Sequence, residues 1–316
     1  MIGPKTMLSL GAGFMESFWS PELEVIPLRA SDWMQGMANY RYADFAYAMN
    51  MTPEQPAWVR EARDAAKRRG IPTVWHTIED PNSFDAFAGQ ASGFDIIATT
   101  DRVLIPQYQQ MHPSAQVIWL PLAASRYWHS PSTVLVPTEQ EVDFILIANW
   151  YDNEARHRAM ATLDPIIAGA DRGDWTFRLM CYDDAPWPAR WLKYRTGSCN
   201  HLDVGKYYRR AGCVLGINNQ DTKTAMTSMR TFEALACCRP FLTPRSDGYA
   251  ALGFLNGTHM AIADDAVGMD FLAHRMVKDR AWAGSIAAAG WAHVMKHHLY
   301  TNRLAWIGDA LPRREP

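Results

Sequence analysis

Residues 218–252 read NNQDTKTAMTSMRTFEALACCRPFLTPRSDGYAAL, and the side chains in this stretch are of the types, and at the spacing, needed to hold an anion. The segment follows an apolar strand pattern, is rich in Ser and Thr, and then opens a helix. A helix opening presents backbone N–H groups and a positive dipole end, as a diphosphate requires. Ser228 and Thr231 carry hydroxyl donors, and Lys223 and Arg230 carry the charge to neutralise phosphate. Glu233 falls in the first helical turn, where a carboxylate can accept two ribose hydroxyls. The same residues also describe a capped helix with a solvated acid, Ser228 or Thr227 being the cap, and the local pattern leaves both readings open.

The first half of the chain carries a second set. Gly11-Ala12-Gly13 closes a strand pattern and admits close approach of a sugar or phosphate, or simply makes a tight turn. His76, Glu79 and Asp80 follow a strand and are expected to project from its end. His76 is placed to bond a transferred group or a leaving oxygen, and Glu79 or Asp80 to act as general base. Asp80-Pro81 is also an ordinary turn. Thr100 and Asp101 end the next strand, where Asp101 reads equally as a helix N-cap. No His/Cys/Asp cluster has metal-ligand spacing, so metal-free chemistry is expected, with Arg and Lys supplying the electrostatics. Asp152-Asn153-Glu154 reads as a helix start with favourable acids.

These residues need elements to position them. Strands are predicted at 7–10, 25–28, 45–49, 71–75, 94–98 and 117–120, with helices at 53–69 and 103–111. Val59, Ala62 and Ala66 share one face of the first of these helices, and Gly70 ends it. A Pro-, Ser- and Thr-bearing lapse follows. A second series has strands at 142–148, 177–181, 214–217, 240–243 and 260–263. Its helices are at 155–168, 202–211, 230–238, 267–278 and 282–297. Strands alternating with helices imply parallel sheets of βαβ units. The expected organisation is a Rossmann-like acceptor-side domain at 1–125, a linker at 126–141, a Rossmann-like ligand-binding domain at 142–298 and a terminal helix or tail at 299–316 that packs back on the first domain. Two such halves are expected to face a cleft, where α/β folds bind ligands.

Composition bounds the rest. In a chain of 316 residues, a hydrophobic share of 48% and a charged share of 20% are those of a soluble globular protein. The net charge of -2 gives no global reason to bind nucleic acid. The cysteines, five in number and without C-x-x-C spacing, fit reduced thiols better than a disulfide framework. No signal-like segment opens the chain and no apolar run spans a bilayer, so a cytoplasmic location and no membrane span are expected.

Arg230-Thr231-Phe232-Glu233-Ala234-Leu235-Ala236-Cys237, then Pro240-Phe241-Leu242-Thr243 and Asp247-Gly248, resembles the donor-site segment of GT-B glycosyltransferases, in particular the CgeB-like (spore maturation protein) branch of the glycosyltransferase 1/4 group. PTVWHTIEDP at 72–81, FDIIATTD at 94–101 with Tyr108, LPLA at 120–123 with His129-Ser130-Pro131, and HLYTNR at 298–303 are similar to further blocks of that family, in order. The first seventy residues match in pattern only. The resemblance implies a GT-B fold, a helix-borne Glu233 on the donor ribose, and Arg230 with its polar loop on the diphosphate. It also implies that the turn Ala148-Asn149-Trp150 approaches the donor phosphates, making Asn149 a donor contact. This chain departs at Cys238, where the family usually has Gly. It also lacks the first carboxylate of the Glu pair seen in many retaining members, a job for which Gln220 or Asp221 is a candidate.

The implied activity is metal-independent sugar transfer from a nucleoside diphosphate sugar to an acceptor hydroxyl, with retained anomeric configuration and no cofactor. Its partner is the nucleotide-sugar donor, and the acceptor is a glycan, peptide, small molecule or modified DNA base. Three alternatives share the pattern: a phage-type DNA glycosyltransferase acting on a hydroxymethylated base, a sugar-nucleotide epimerase, and a non-catalytic GT-B module that binds glycans or nucleotides. Low-salt gel shifts on duplex DNA, product analysis and donor hydrolysis, respectively, separate them from the main reading.

Overall fold

Short apolar strands with helical neighbours in sequence become two parallel sheets in the computed structural model, which describes residues 6–10, 23–39, 43–49, 55–130, 139–218 and 224–312. The chain divides into two compact units, Met1–Leu122 with Leu299–Pro316, and Ala123–His298.

The first unit contains β1 (Thr6–Ser9), β2 (Glu24–Pro27), α1 (Trp33–Asn39), β3 (Phe45–Met49), α2 (Ala57–Arg68), β4 (Thr73–Thr77), α3 (Phe84–Phe87), β5 (Ile96–Thr99), α4 (Ile105–Met111) and β6 (Gln116–Trp119). Its six strands pair in parallel in the order β2-β1-β3-β4-β5-β6. The inner strands β4 and β5 are buried at every residue, as befits a sheet covered by helices on both faces. On α2 the buried residues are Val59, Ala62 and Ala66, the face expected from their spacing, and Pro56 stands at its N-cap. The terminal helix α12 (Tyr300–Ala310) belongs to this unit. It is pinned by Arg303, which is 1% exposed and donates from Nε to the Pro121 carbonyl (2.7 Å) and from Nη2 to the Leu122 carbonyl (2.9 Å).

The second unit contains β7 (Val142–Ile147), α5 (Glu154–Arg172), β8 (Phe177–Met180), α6 (Ala189–Leu192), α7 (Val204–Tyr208), β9 (Ala211–Leu215), α8 (Met229–Ala236), β10 (Phe241–Pro244), α9 (Asp247–Ala251), β11 (Ala261–Ala263), α10 (Ala266–Lys278) and α11 (Arg280–His297). Its five parallel strands run β11-β10-β9-β7-β8. The strand order reverses at β7. Successive connections leave β7 toward β8 on one side, and the chain then returns to β9 on the other. The crevice at the carboxyl ends of β7 and β9 is therefore the topological switch point of this sheet.

Glycines inside two helices mark close packing, and one of these helices runs beyond the sequence pattern. The pattern ends a helix at residue 168, before Gly169, whereas α5 continues to Arg172 and stops at Gly173 with φ 79°. Inside the helix, the Trp175 ring occupies the space that a Cβ on Gly169 would take, and Trp175 Nε1 donates to the Ile166 carbonyl (2.8 Å). In α11, a Cβ on Gly290 would overlap the His259 carbonyl oxygen and crowd Leu235 of α8. That close approach seats α11 behind α8, the helix that carries Arg230 and Glu233.

Candidate functional site

Arg230, in the first turn of α8, reaches across the switch point of the second unit. Its Nε donates to the carbonyl of Ile147, the last residue of β7 (2.7 Å), and its Nη1 to the carbonyl of Ile217, just beyond β9 (2.9 Å). Nη1 also lies 3.4 Å from Ser228 Oγ. The guanidinium thus bolts the two strand ends together and spends two of its three nitrogens on protein. Ser228 is the N-cap of α8, but its hydroxyl makes no capping bond; its backbone N–H points to Asn218 Oδ1 at 3.4 Å. Thr231, expected to face a ligand, instead faces inward. It is fully buried, and its hydroxyl shares a 3.0 Å bond with Thr227.

Glu233 lies one residue short of a full turn beyond Arg230 and is 7% exposed. Burial pushes its carboxyl up to about 7, with the Arg230 charge pulling the other way. The nearest cationic candidate, His129 Nε2, stands 3.6 Å from Glu233 Oε1, too far for a strong hydrogen bond. His129 is itself driven down to about 3 by burial and by the Arg209 and His201 charges, and its Nδ1 accepts from the Ser125 N–H (3.1 Å). The contact is therefore between a neutral imidazole and a carboxyl poised near neutrality, and is no ion pair. Cys199, whose thiol is raised to about 11 by burial and then by Glu233, lies in the same environment.

One residue of this site escapes the sequence pattern. Arg156 sits in the first turn of α5, directly after β7, and is 2% exposed. Its Nε and Nη1 have no hydrogen-bond partner among the described residues. The only signal for it in the sequence is weak: a cation in the first turn of a helix opposes the dipole, although Glu154 stands in the same turn. Asn153 caps α5 by accepting from the Arg156 N–H (2.8 Å), and Asn149, between β7 and α5, is exposed.

The first-unit candidates divide differently. His76 does not project from the strand end. It lies within β4, paired with Met49 and Ala98, and is 1% exposed. Its Nε2–H donates to the Leu120 carbonyl (2.8 Å), and its Nδ1 accepts from the Tyr47 hydroxyl (2.6 Å). Burial lowers it to about 4, so it is neutral and fully engaged. Asp80, joined to Pro81 by a cis peptide, is also buried. It accepts from the hydroxyls of Thr77 (2.5 Å), Thr99 (2.6 Å) and Tyr108 (3.1 Å). Burial raises it to about 6 although those three bonds favour the charged form. Thr100 donates to the Thr77 carbonyl (3.2 Å), and Asp101 caps the turn that follows by accepting from the Val103 N–H (3.1 Å). Of the three candidate catalytic residues only Glu79 is exposed, and the surrounding protein still raises its carboxyl above the usual range. Gly11, Gly13, Lys223, Gln220 and Asp221 lie outside the described residues. Among the described residues no group of three or more His, Cys, Asp and Glu side chains is arranged to hold a metal ion, and no helix is long and apolar enough to cross a membrane.

Residues 156–308 match the family model described as glycosyl transferase-like. No curated protein matches the chain in sequence. Among solved structures, HepE of Anabaena in complex with UDP and glucose has a TM-score of 0.60 at 11% identity, covering 98% of this chain and 99% of that one. A glycosyltransferase from Rickettsia africae has a TM-score of 0.57 at 11% identity over 97% of this chain and 89% of that one. MnaA of S. aureus, determined with UDP, has a TM-score of 0.53 at 11% identity over 99% of each chain. The chain therefore has the GT-B fold of two parallel-sheet α/β domains, and its second unit carries most of a glycosyl transferase-like match.

Proposed function

We propose that the protein is a glycosyltransferase that moves a sugar from a uridine diphosphate sugar to an acceptor hydroxyl, without a metal and with retained configuration, in the manner of the CgeB-like branch. The observation that carries this reading is Glu233. It is a buried carboxyl without an ion-pair partner, held near 7, three residues from a guanidinium that spans a topological switch point. An acid kept at that cost belongs to a ligand site more readily than to a packing core. Uridine as the nucleoside is supported by the UDP complexes of HepE and MnaA.

In the reaction the bond from the anomeric carbon to the diphosphate oxygen breaks, and a bond from that carbon to the acceptor oxygen forms. The nucleoside diphosphate leaves with the electron pair, and the acceptor proton passes to a base. Glu233 holds the ribose hydroxyls, and Ser228, Arg230 and Asn149 face the diphosphate. Glu79 is the base of choice among the first-unit candidates, because its carboxyl is exposed while His76 and Asp80 are committed to internal bonds.

Titration calorimetry with UDP-glucose tests the assignment. Glu233→Ala removes two charge-assisted bonds to the ribose, so affinity falls by about 10- to 100-fold. Unchanged affinity removes Glu233 from the donor site. Product analysis with a panel of acceptors then separates transfer from epimerisation of the free donor.

A further inference from the structure

Two imidazoles of the second unit converge on one backbone oxygen. His298 Nε2 lies 2.9 Å from the Leu252 carbonyl oxygen, His293 Nε2 lies 3.2 Å from it, and the two nitrogens are 3.1 Å apart. Spacing along the chain does not bring them together, because residues five apart on a helix point in different directions. They meet because α11 ends at His297 and the backbone of His298 leaves the helix, with φ -131° and ψ 35°. Leu252 is the C-cap of α9, and Gly253 follows it at φ 75°, so the chain turns in the left-handed region directly beside the His293 ring. Neighbouring rings hold the pair in place. His293 stacks on His259, with centroids 4.4 Å apart and planes 15° apart, and Phe254 lies against both His293 (4.9 Å) and His298 (5.0 Å). His259 is itself fixed, its Nδ1 accepting from the Leu255 N–H (3.1 Å).

The three polar atoms form a nearly equilateral triangle, so two ring N–H groups that both aim at the oxygen approach it at an acute angle and set their hydrogens against each other. A divalent ion relieves that conflict. At zinc–nitrogen lengths of about 2.0–2.1 Å, nitrogens 3.1 Å apart subtend roughly 100° at the metal, between the octahedral and tetrahedral values. Burial lowers His293 below the ordinary histidine value, against the Leu252 hydrogen bond, so its ring is neutral at pH 7 and has a lone pair to give.

We propose that His293 Nε2, His298 Nε2 and the Leu252 carbonyl oxygen form a binding site for a divalent transition-metal ion of the zinc class, with water completing the coordination. Each ring then presents its Nε2 lone pair and carries its proton on Nδ1. Imidazole ligands favour such an ion over magnesium, which takes oxygen. The site needs only two metal-binding side chains, since its third ligand is a backbone oxygen; among the described residues no group of three such side chains is so arranged. The ion ties the end of α9 to the end of α11 and uses none of the residues assigned to the donor. Its role is structural, and the assignment does not depend on the sugar-transfer reading.

The test uses the full chain, freed of metal with a chelator and titrated with zinc chloride in calorimetry, with magnesium chloride as the control. The wild type is expected to bind one zinc ion per chain, to melt at a higher temperature with zinc, and to ignore magnesium. Because His298 is buried, the substitution is placed on the half-exposed His293. His293→Gln should bind zinc at least about tenfold more weakly and lose the thermal gain. His297→Gln, on the exposed neighbour one turn further along α11, should bind as the wild type does. The proposal is overturned if the wild type binds no zinc, or if His293→Gln binds it with wild-type affinity. It is also overturned if His297→Gln loses as much as His293→Gln, because the ion would then sit on the surface pair that a helix places four residues apart. Imidazole nitrogen-15 spectra of the wild type give a readout that stands even where His293→Gln does not fold. Equimolar zinc should move the Nε2 signals of two histidines, and spectra that zinc leaves unmoved overturn the assignment.

Discussion

Replacing Glu233 by Gln should change how the stability of the free protein depends on pH, and the direction follows from the desolvation of that carboxyl. In the folded chain Glu233 holds its proton up to about 7, against an ordinary glutamate value of 4.5 in the unfolded chain. Between those two values the native state binds a proton that the unfolded state has released. Stability therefore falls as pH rises through this window, and the loss is complete above about 7. The separation corresponds to about 3 kcal/mol. Gln keeps the shape and cannot ionise, so Glu233→Gln should match the wild type near the lower value and exceed it by about that amount above neutrality. Urea unfolding of both proteins at matched ionic strength, from about pH 4.5 to about pH 8, gives the difference directly. Other titrating groups, including His76, His129 and Asp80, are common to both chains and cancel in the subtraction. Two pH profiles that run parallel would refute the claim, because they would mean that the Glu233 carboxyl ionises in its ordinary range.

Two further predictions concern the frame around the site. Cys238 follows the C-cap of α8 with φ 54°, a left-handed conformation that costs a residue with a Cβ about 1–2 kcal/mol. After glycine's greater unfolded-state entropy is subtracted, Cys238→Gly should raise stability by roughly 0.5–1 kcal/mol, while Cys238→Ala, which keeps the Cβ, should not. Equal urea midpoints for the two variants would contradict the strain. In the first unit, Asp80→Ala leaves the hydroxyls of Thr77, Thr99 and Tyr108 without their shared acceptor and should cost about 2–4 kcal/mol. Affinity for UDP should be unchanged in that variant, and a parallel loss of UDP affinity in calorimetry would place Asp80 at the ligand.

What local pattern dictates was readable in advance. The alternation of apolar strands with helices specifies two parallel α/β units, and the spacing of Val59, Ala62 and Ala66 specifies the buried face of α2. The order of Arg230 and Glu233 on one short helix likewise marks the mouth of that helix as the place for chemistry, since their three-residue separation alone sets them on neighbouring parts of one surface. The commitments of individual side chains lie beyond such reasoning, because they depend on partners far away in sequence. His76 is spent on Tyr47 and on the Leu120 carbonyl, and Asp80 on hydroxyls from β4, β5 and α4. Arg230 is spent on carbonyls at the ends of β7 and β9. Gly169 lies inside a helix at a place where the Trp175 ring leaves no room for a side chain. Arg156 is the converse case: a residue type that looks like a solvated helix charge becomes a buried cation with two nitrogens unpartnered among the described residues. Hydrogen bonds and burial are settled by which groups meet when the sheets assemble, and periodicity along the chain does not encode that meeting.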